Sequence, residues 1–351
     1  KIDLQVFGDN ENKELLWDKI TIKQNLGKIP ISFTISRKSF FRMKKVLESI
    51  VCSVCNLWIK PTKSQKESIL FLEFNPSEYK TLFSNLGNQK NIILLNRRRP
   101  AIWSINSIKT LLKNNCKLIN FNDFISKNER NQIPKIINEY KKKLEISFLK
   151  SPKAFFFLDE DLWPIFKDTI IETYKIRIPE YIFFLTAMTN FFKKINVKGI
   201  IMLNQLGETE KTILKIKKNN KTSILLEHAF ANYTKETSKF SILSSHPILE
   251  DKIAVWGKIQ KKYLIDFHDI SPDRIFVTGS PKHDKFFHKI QNSKNKKRKT
   301  VLIAPHPITE ITGQSNSKLY DKYEQTVKEV CSILDEMHDI DIIVKLHPSQ
   351  L

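Results

Sequence analysis

Glycine is scarce in this 351-residue sequence, which contains only 8. None of these glycines builds the loops that cradle phosphate in P-loop and dinucleotide-binding proteins. The sequence also lacks the G-x-S-x-G elbow of α/β-hydrolases and the H-E-x-x-H motif of zinc proteases. These absences argue against dehydrogenases, kinases and hydrolases of those types.

Cysteine and long apolar runs are also scarce. The 4 cysteines do not make a disulfide framework, and Cys52-x-x-Cys55 has only half of a zinc-binding spacing. The longest apolar run, Tyr181 to Phe192, is interrupted by polar residues and falls short of the roughly 20 residues that cross a bilayer. We therefore expect reduced thiols, no metal site and a cytoplasmic location, which is also compatible with peripheral attachment to the inner face of the cell membrane.

Acidic residues are outnumbered, with 37 Asp and Glu against 59 Lys and Arg, so the formal net charge is +22. Such a charge favours an anionic partner, such as nucleic acid, a membrane surface or a phosphorylated substrate. A biased base composition in the genome would scatter lysine in the same way, so both explanations stay open. Nothing in the sequence resembles a nucleic-acid recognition module, and we expect no specific nucleic-acid binding.

The chain divides into segments of different character. Residues 1–65 are helical or irregular, and a helix predicted from Phe40 onward is basic on one side and apolar on the other. Such a helix can lie on an anionic membrane surface, or it can be an ordinary surface helix. From Ser68 the pattern becomes strand and helix in alternation, with one helix predicted to start at Asn75-Pro76, where Asn75 would be the N-cap. This alternation is typical of βαβ units and a parallel sheet. The predicted fold class is therefore α/β.

Domain boundaries follow from composition. Residues 66–290 form a first α/β domain, interrupted at about 128–194 by a long helical stretch that we interpret as an insertion. The polar, basic segment 291–300 has no core residues and is the predicted linker. Residues 301–351 then read as strand, helix and strand, the start of a second domain. Because the chain opens on Lys1 and stops just past a strand, we expect a fragment whose second domain is truncated.

Each of the two predicted strands in the last part of the chain is followed by a histidine and a proline. These are His306-Pro307 and His347-Pro348. Ligands of open α/β sheets bind outside the carboxyl ends of strands. Together with Lys345 and Ser349, these histidines can bind the oxygens of an anionic ligand. A turn with an incidental histidine is the alternative for either motif by itself.

Two candidate catalytic residues also follow strands. Glu208 opens a helix after Gly207, where it can act as a general base toward an acceptor hydroxyl or simply complement the helix dipole. His228 follows the strand at 222–226 and can bind or protonate a substrate, or it can be a satisfied histidine under a loop. Both interpretations stay open for each residue.

Two further stretches carry candidate ligand contacts. Arg97, Arg98 and Arg99 follow the strand at 91–95 and can hold an anion or an acceptor through paired hydrogen bonds, or they can form a solvated turn. Gly279 and Ser280 end another strand, where glycine permits a bend and Ser-Pro opens a helix.

The order of these motifs resembles that of GT-B glycosyltransferases. The nearest families are the capsule and surface-polysaccharide transferases and the teichoic-acid CDP-glycerol glycerophosphotransferases. The resemblance covers about Val197 to Ser349, and the family's usual Gln-His-Gly is Glu-His-Ala here. The motifs that carry it are Gly207-Glu208, Glu227-His228-Ala229, Gly279 to Asp284 and Lys345 to Pro348.

This resemblance implies two Rossmann-like domains whose parallel sheets face each other across a cleft. The domain at 66–290 would receive the acceptor, and residues 301–351 would begin the domain that binds the donor. Glu208 and His228 would be the catalytic residues. The residues implied to contact the donor nucleotide or its phosphates are His306, Gly279, Ser280, Lys345, His347, Pro348 and Ser349.

The implied activity is metal-independent transfer of a sugar from a nucleotide-activated donor, without a further cofactor, to a surface glycan, polysaccharide or lipid-linked acceptor. One alternative is a sugar-nucleotide epimerase of the UDP-N-acetylglucosamine 2-epimerase type, for which the sequence offers no convincing acid–base pair. Another is a non-catalytic protein that binds an anionic polymer. Because the donor half is short, we expect this chain alone to bind nucleotide weakly and to be inactive.

Overall fold

The structure is a computed structural model of the 351-residue chain. It divides into two compact units, Lys1–Asp284 and Lys285–Leu351, and each is considered by itself. The residues that the structure describes are 19–26, 29–58, 67–97, 104–148, 156–157, 160–205, 207–217, 220–227, 235, 249–284, 299–304, 317–337 and 339–345.

The first unit opens on an antiparallel hairpin, β1 (Lys19–Leu26) and β2 (Ile29–Ser36), which the sequence pattern did not indicate. The hairpin leads directly into α1 (Arg37–Trp58). Ser36 caps this helix, since its hydroxyl oxygen accepts a hydrogen bond from the Ser39 amide at 3.2 Å. The helix predicted from Phe40 is thus confirmed and begins three residues earlier.

The rest of the first unit alternates strands and helices, as predicted. In chain order these elements are β3 (Ser68–Leu72), α2 (Lys80–Gly87), β4 (Asn91–Leu95), α3 (Ile105–Lys113), β5 (Lys117–Leu118), α4 (Lys127–Ser147), β6 (Phe156–Phe157), β7 (Glu160–Asp161), α5 (Trp163–Lys194), β8 (Val197–Met202), α6 (Glu208–Ile216), β9 (Thr222–Leu226), β10 (Lys252–Val255), α7 (Lys258–His268) and β11 (Ile275–Val277).

Seven of these strands form one sheet in the order β11-β10-β9-β8-β3-β4-β5, and neighbouring strands pair in parallel. Alternate residues of each strand point to opposite faces. On β3, Leu70 and Leu72 therefore join the core under α5, α6 and α7, whereas Phe71 joins the core that contains Phe83 and Leu111 of α2 and α3. Helices on both faces bury the sheet, and the α/β prediction is confirmed.

Two local predictions are corrected. The stretch predicted as helical at about 128–194 contains two long helices, α4 and α5, separated by the short antiparallel pair β6–β7. The helix predicted to start at Asn75-Pro76 instead begins at Lys80. Asn75 holds a turn here, because its Oδ1 accepts hydrogen bonds from the backbone N and the hydroxyl of Ser77, at 3.2 and 2.9 Å.

The second unit contains the predicted strand, helix and strand. These are β12 (Lys299–Ile303), α8 (Ser317–Asp335) and β13 (Ile340–Val344), and the two strands pair in parallel. The linker predicted at 291–300 lies outside the described residues except for its last two positions, which begin β12. Across the described ranges of both units, no helix combines the length and apolar composition needed to cross a bilayer.

Candidate active site

The central sheet has a point at which the direction of its strand order reverses. From β3 the chain moves outward through β4 to β5, and then returns to place β8 on the other side of β3 before moving outward through β9, β10 and β11. Because all these strands are parallel, their carboxyl ends meet at one edge. Open α/β sheets bind ligands in the crevice at such a switch point, so the residues that follow β3 and β8 define the candidate site.

Glu73 follows β3 at this point and is 2% exposed. Its backbone has φ 58°, a left-handed conformation that residues other than glycine rarely adopt. The Glu73 Oε1 atom accepts hydrogen bonds from the Arg97 amide at 2.9 Å and from the Thr209 hydroxyl at 3.1 Å. The carboxylate therefore ties the ends of β3 and β4 to the first turn of α6, and such strained residues cluster at functional sites.

Glu208 precedes Thr209 in the first turn of α6, and Gly207 is the N-cap of this helix. Its Oε2 atom accepts hydrogen bonds from Nη1 of Arg97 at 3.4 Å and from Nη2 of Arg177 on α5. Glu180 contacts the same two guanidinium groups, at 3.0 Å from Arg177 and 3.9 Å from Arg97. Two arginines and two carboxylates thus converge on the crevice.

The aromatic rings of Tyr181 and Phe184 pack against the guanidinium groups of this cluster. The Arg97 guanidinium lies 5.2 Å from the ring centre of Tyr181 and 4.8 Å from that of Phe184, and Arg177 lies 5.5 Å from Tyr181. Desolvation raises the pKa of Glu208, but the hydrogen bond from Tyr181 and the charges of Arg177 and Arg97 outweigh it, and the net shift is downward. Glu208 is therefore ionised at neutral pH and can accept a hydrogen bond or a proton.

A buried amide three positions before Glu208 in the sequence offers further polar groups after β8. Gln205 follows β8 and is 5% exposed. Neither its Oε1 nor its Nε2 atom has a hydrogen-bond partner in the described part of the chain. Buried polar atoms without a partner cost free energy, and a polar ligand in the crevice would remove that cost.

The carboxyl ends of β9, β10 and β11 carry further polar groups on the same sheet edge. Glu227 follows β9, and its carbonyl oxygen accepts a hydrogen bond from the Trp256 indole at 2.7 Å. The pKa of Glu227 is raised to about 7, mainly because burial desolvates its carboxyl group and to a smaller extent because of the negative charge of Glu250. Past β11, the Ser280 hydroxyl lies 2.7 Å from Nδ1 of His283, whose ring packs edge-on against Trp256.

Gly279 has φ 77°, and this positive φ explains why glycine stands at the bend that turns the chain after β11. Gly279 and Ser280 thus lie at an outer strand of the sheet, whereas Arg97 and Glu208 lie at the switch point. Arg97 and Glu208 are the two predicted site residues that the structure brings into contact. They are 111 positions apart in sequence.

The remaining predicted residues are distributed as follows. Lys345 lies in the second unit, where it follows β13 and its amide donates a hydrogen bond to the Ile303 carbonyl at 2.8 Å. The other predicted residues lie outside the described part, and their roles stay predictions; they are Arg98, Arg99, His228, His306, His347, Pro348 and Ser349.

Sequence reasoning missed five residues of the site, which are Glu73, Arg177, Glu180, Tyr181 and Gln205. A weak signal exists for Glu73, which is an acidic residue immediately after the apolar run Ile69 to Leu72. Arg177 and Tyr181 carry no such signal, because they lie within the long helix α5. Among the described residues, no group of three or more His, Cys, Asp or Glu side chains is arranged to hold a metal ion.

No protein-family model matches the sequence, and no curated protein matches it significantly. Among solved structures, it is similar to the UDP-N-acetylglucosamine 2-epimerase of Rickettsia bellii, with a TM-score of 0.37 and 11% identity over 82% of this chain. It is also similar to the wall teichoic acid polymerase TagF, solved after a soak with CDPG, with a TM-score of 0.32 and 10% identity over 90% of this chain. The chain spans 63% and 64% of those two chains. At these TM-scores neither structure assigns an activity to this protein.

Proposed function

We propose that this protein is a GT-B-type transferase that moves a sugar, or a glycerol phosphate, from a nucleotide-activated donor to a hydroxyl of a surface glycan, polysaccharide or lipid-linked acceptor. The observation that supports this most is the switch-point cluster, in which the ionised Glu208 contacts Arg97 and Arg177 at the carboxyl ends of β4 and β8. The motif order Gly207-Glu208, Glu227-His228, Gly279 to Asp284 and Lys345 to Pro348 is the second support.

In this proposal the first unit receives the acceptor. Planar polar side chains and an aromatic ring are suited to hydroxyl-rich ligands, and Arg97, Arg177, Glu180 and Tyr181 supply both. Gln205 would donate to and accept from acceptor hydroxyls, which satisfies its buried amide. A ligand with an anionic group would compete with Glu208 for the two guanidinium groups.

The proposed reaction couples a displacement at the donor to a proton transfer from the acceptor hydroxyl. Glu208 or His228 accepts the proton of the acceptor hydroxyl, and the acceptor oxygen forms a bond to the anomeric carbon of the donor sugar. The bond from that carbon to the donor phosphate oxygen breaks, and the nucleotide leaves with the electron pair. Lys345 and His347 are proposed to stabilise the negative charge on the leaving phosphate. With a glycerol phosphate donor, the new bond is to phosphorus and the nucleoside monophosphate leaves.

The test is to incubate the protein with CMP-, CDP-, UDP- and GDP-activated donors and to measure nucleotide release with and without glycan acceptors. We expect one donor class to be consumed. Glu208→Gln should lower turnover by about 10²- to 10⁴-fold, because a neutral amide cannot accept the proton. The matched control is Glu172→Gln on α5, which removes an exposed carboxylate outside the crevice.

Other outcomes would favour the alternatives. Inversion at the second carbon of the sugar, without transfer, would support the epimerase. If no donor is consumed or bound, but anionic polymers bind with a steep dependence on salt concentration, the protein is a polymer-binding module.

A further inference from the structure

Helix α1 has two apolar faces, of which the described part of the first unit covers only one. On the inner face Cys55 is buried and Cys52 packs against the same core. The opposite face carries apolar side chains at the spacing of successive helical turns. Those exposed by at least half are Val46, Leu47, Ile50, Val54, Leu57 and Trp58.

This second face is continuous and wide. At 3.6 residues per turn its members fall within an arc of about 120°, and the helix surface brings residues three and four apart into contact. Leu57 and Trp58 at its end are 83% and 75% exposed, and Phe33 of the preceding strand is 46% exposed. Contiguous exposed apolar surface of this kind marks an interaction site.

The charge of the helix indicates what covers this face. Five of the first nine residues of α1 are basic, and Glu48 is its only acidic residue; the basic residues are Arg37, Lys38, Arg42, Lys44 and Lys45. A second copy of the chain would bring like charges together, since each copy carries +22. An anionic lipid surface is attracted to the basic end and takes up the apolar face.

We propose that α1 docks on an anionic membrane surface, lying in the interface with Leu47, Ile50, Leu57 and Trp58 among the acyl chains. Tryptophan is favoured at this depth because its ring is apolar and its N–H is polar. The inference goes beyond the proposed function, because it depends on no step of the transfer reaction.

The test measures binding of the 351-residue chain to vesicles by co-sedimentation. One set of vesicles contains phosphatidylcholine alone and the other contains phosphatidylcholine with phosphatidylglycerol. We expect binding to the anionic vesicles only. The double variant Ile50→Asp, Leu57→Asp should weaken this binding by about tenfold or more, because two apolar side chains no longer enter the bilayer.

The control is the double variant Ile146→Asp, Ile259→Asp. It makes the same chemical change at exposed isoleucines of α4 and α7, which are 68% exposed in both cases, and it should keep most of the binding. Circular dichroism of each variant verifies that it folds.

Three outcomes would overturn the proposal: no binding of the unmodified chain to anionic vesicles, equal loss in both double variants, or a dimer in analytical ultracentrifugation that only Ile50→Asp, Leu57→Asp dissociates. The last outcome would assign the face to a second copy. Donor turnover without vesicle binding would reject this inference and leave the proposed function standing.

Discussion

At the scale of single residues, the candidate site depends on a glutamate in an unfavourable backbone conformation. A left-handed φ at a non-glycine residue costs about 1 kcal/mol or more, and Glu73 adopts it at the carboxyl end of β3. Its carboxylate offsets this cost by accepting hydrogen bonds from Arg97 and Thr209. Glu73 therefore positions the residues around Glu208.

We predict that Glu73→Ala lowers the free energy of unfolding by about 2 kcal/mol, because the Arg97 amide and the Thr209 hydroxyl lose a buried acceptor. Glu73→Gln keeps an acceptor oxygen and should cost less. Glu67→Ala, at the other end of β3, removes only an exposed ion pair with Lys90 and should cost less than Glu73→Ala, because solvent screens such a pair. Urea denaturation of the three variants measures the difference, and equal losses for Glu73→Ala and Glu67→Ala would contradict it.

Glu227 should make stability depend on pH. Its folded pKa of about 7 lies above the ordinary 4.5, so between these values the unfolded chain binds fewer protons than the folded one. The free energy of unfolding should therefore fall as pH rises from about 4.5 to 7, and this contribution should level off above pH 7.

Glu227→Gln should flatten this dependence and be more stable than the unmodified protein above pH 7, by at most about 3 kcal/mol. Denaturation at a series of pH values measures both slopes. Glu336→Gln, at an exposed position after α8, serves as the control. A slope unchanged by Glu227→Gln would show that its carboxyl ionises normally.

At the scale of elements, the Asn56 side chain attaches α1 to the sheet, because it makes two hydrogen bonds of the kind that a neighbouring strand would make. The Asn56 amide donates a hydrogen bond to the Leu118 carbonyl at 2.9 Å and accepts one from the Leu118 amide at 3.0 Å. Leu118 lies on β5, the last strand of the sheet, so Asn56 pairs backbone groups that would otherwise be exposed at its edge.

We predict that Asn56→Ala lowers the free energy of unfolding by about 2 kcal/mol, since both Leu118 groups lose their partner. Amide hydrogen exchange of Leu118 and of α1 should become faster at the same time. Ser53→Ala is the control, because the Ser53 hydroxyl bonds only within its own helix, to the Ser49 carbonyl at 2.9 Å. Unchanged exchange at Leu118 in Asn56→Ala would show that other contacts hold the helix.

At the scale of the whole molecule, the net charge of +22 admits more than one anionic partner. A charge-driven polymer binder would lose affinity steeply with salt, because it releases counterions. A transferase binds its donor through a few directed contacts and depends less on salt. Net charge alone does not distinguish a nucleotide-activated donor, an anionic membrane and an anionic polymer as partners. The experiments with donors and with vesicles do distinguish them.

The amino-acid sequence by itself determined the strands of the seven-stranded sheet and of the second unit, most helices and the α/β class, because the apolar pattern of each of these elements is local. Both ends of the strand Asn91–Leu95 were predicted correctly. The helix predicted at Asn75-Pro76 was wrong, because an asparagine side chain can cap either a helix or a turn. The sequence also singled out Arg97, which follows β4, and Glu208, which opens α6. Only the tertiary structure decided that β8 returns beside β3. That pairing brings Glu73, Arg97, Arg177 and Glu208 together, and no local pattern encodes it, because it depends on which strands bury each other's apolar faces.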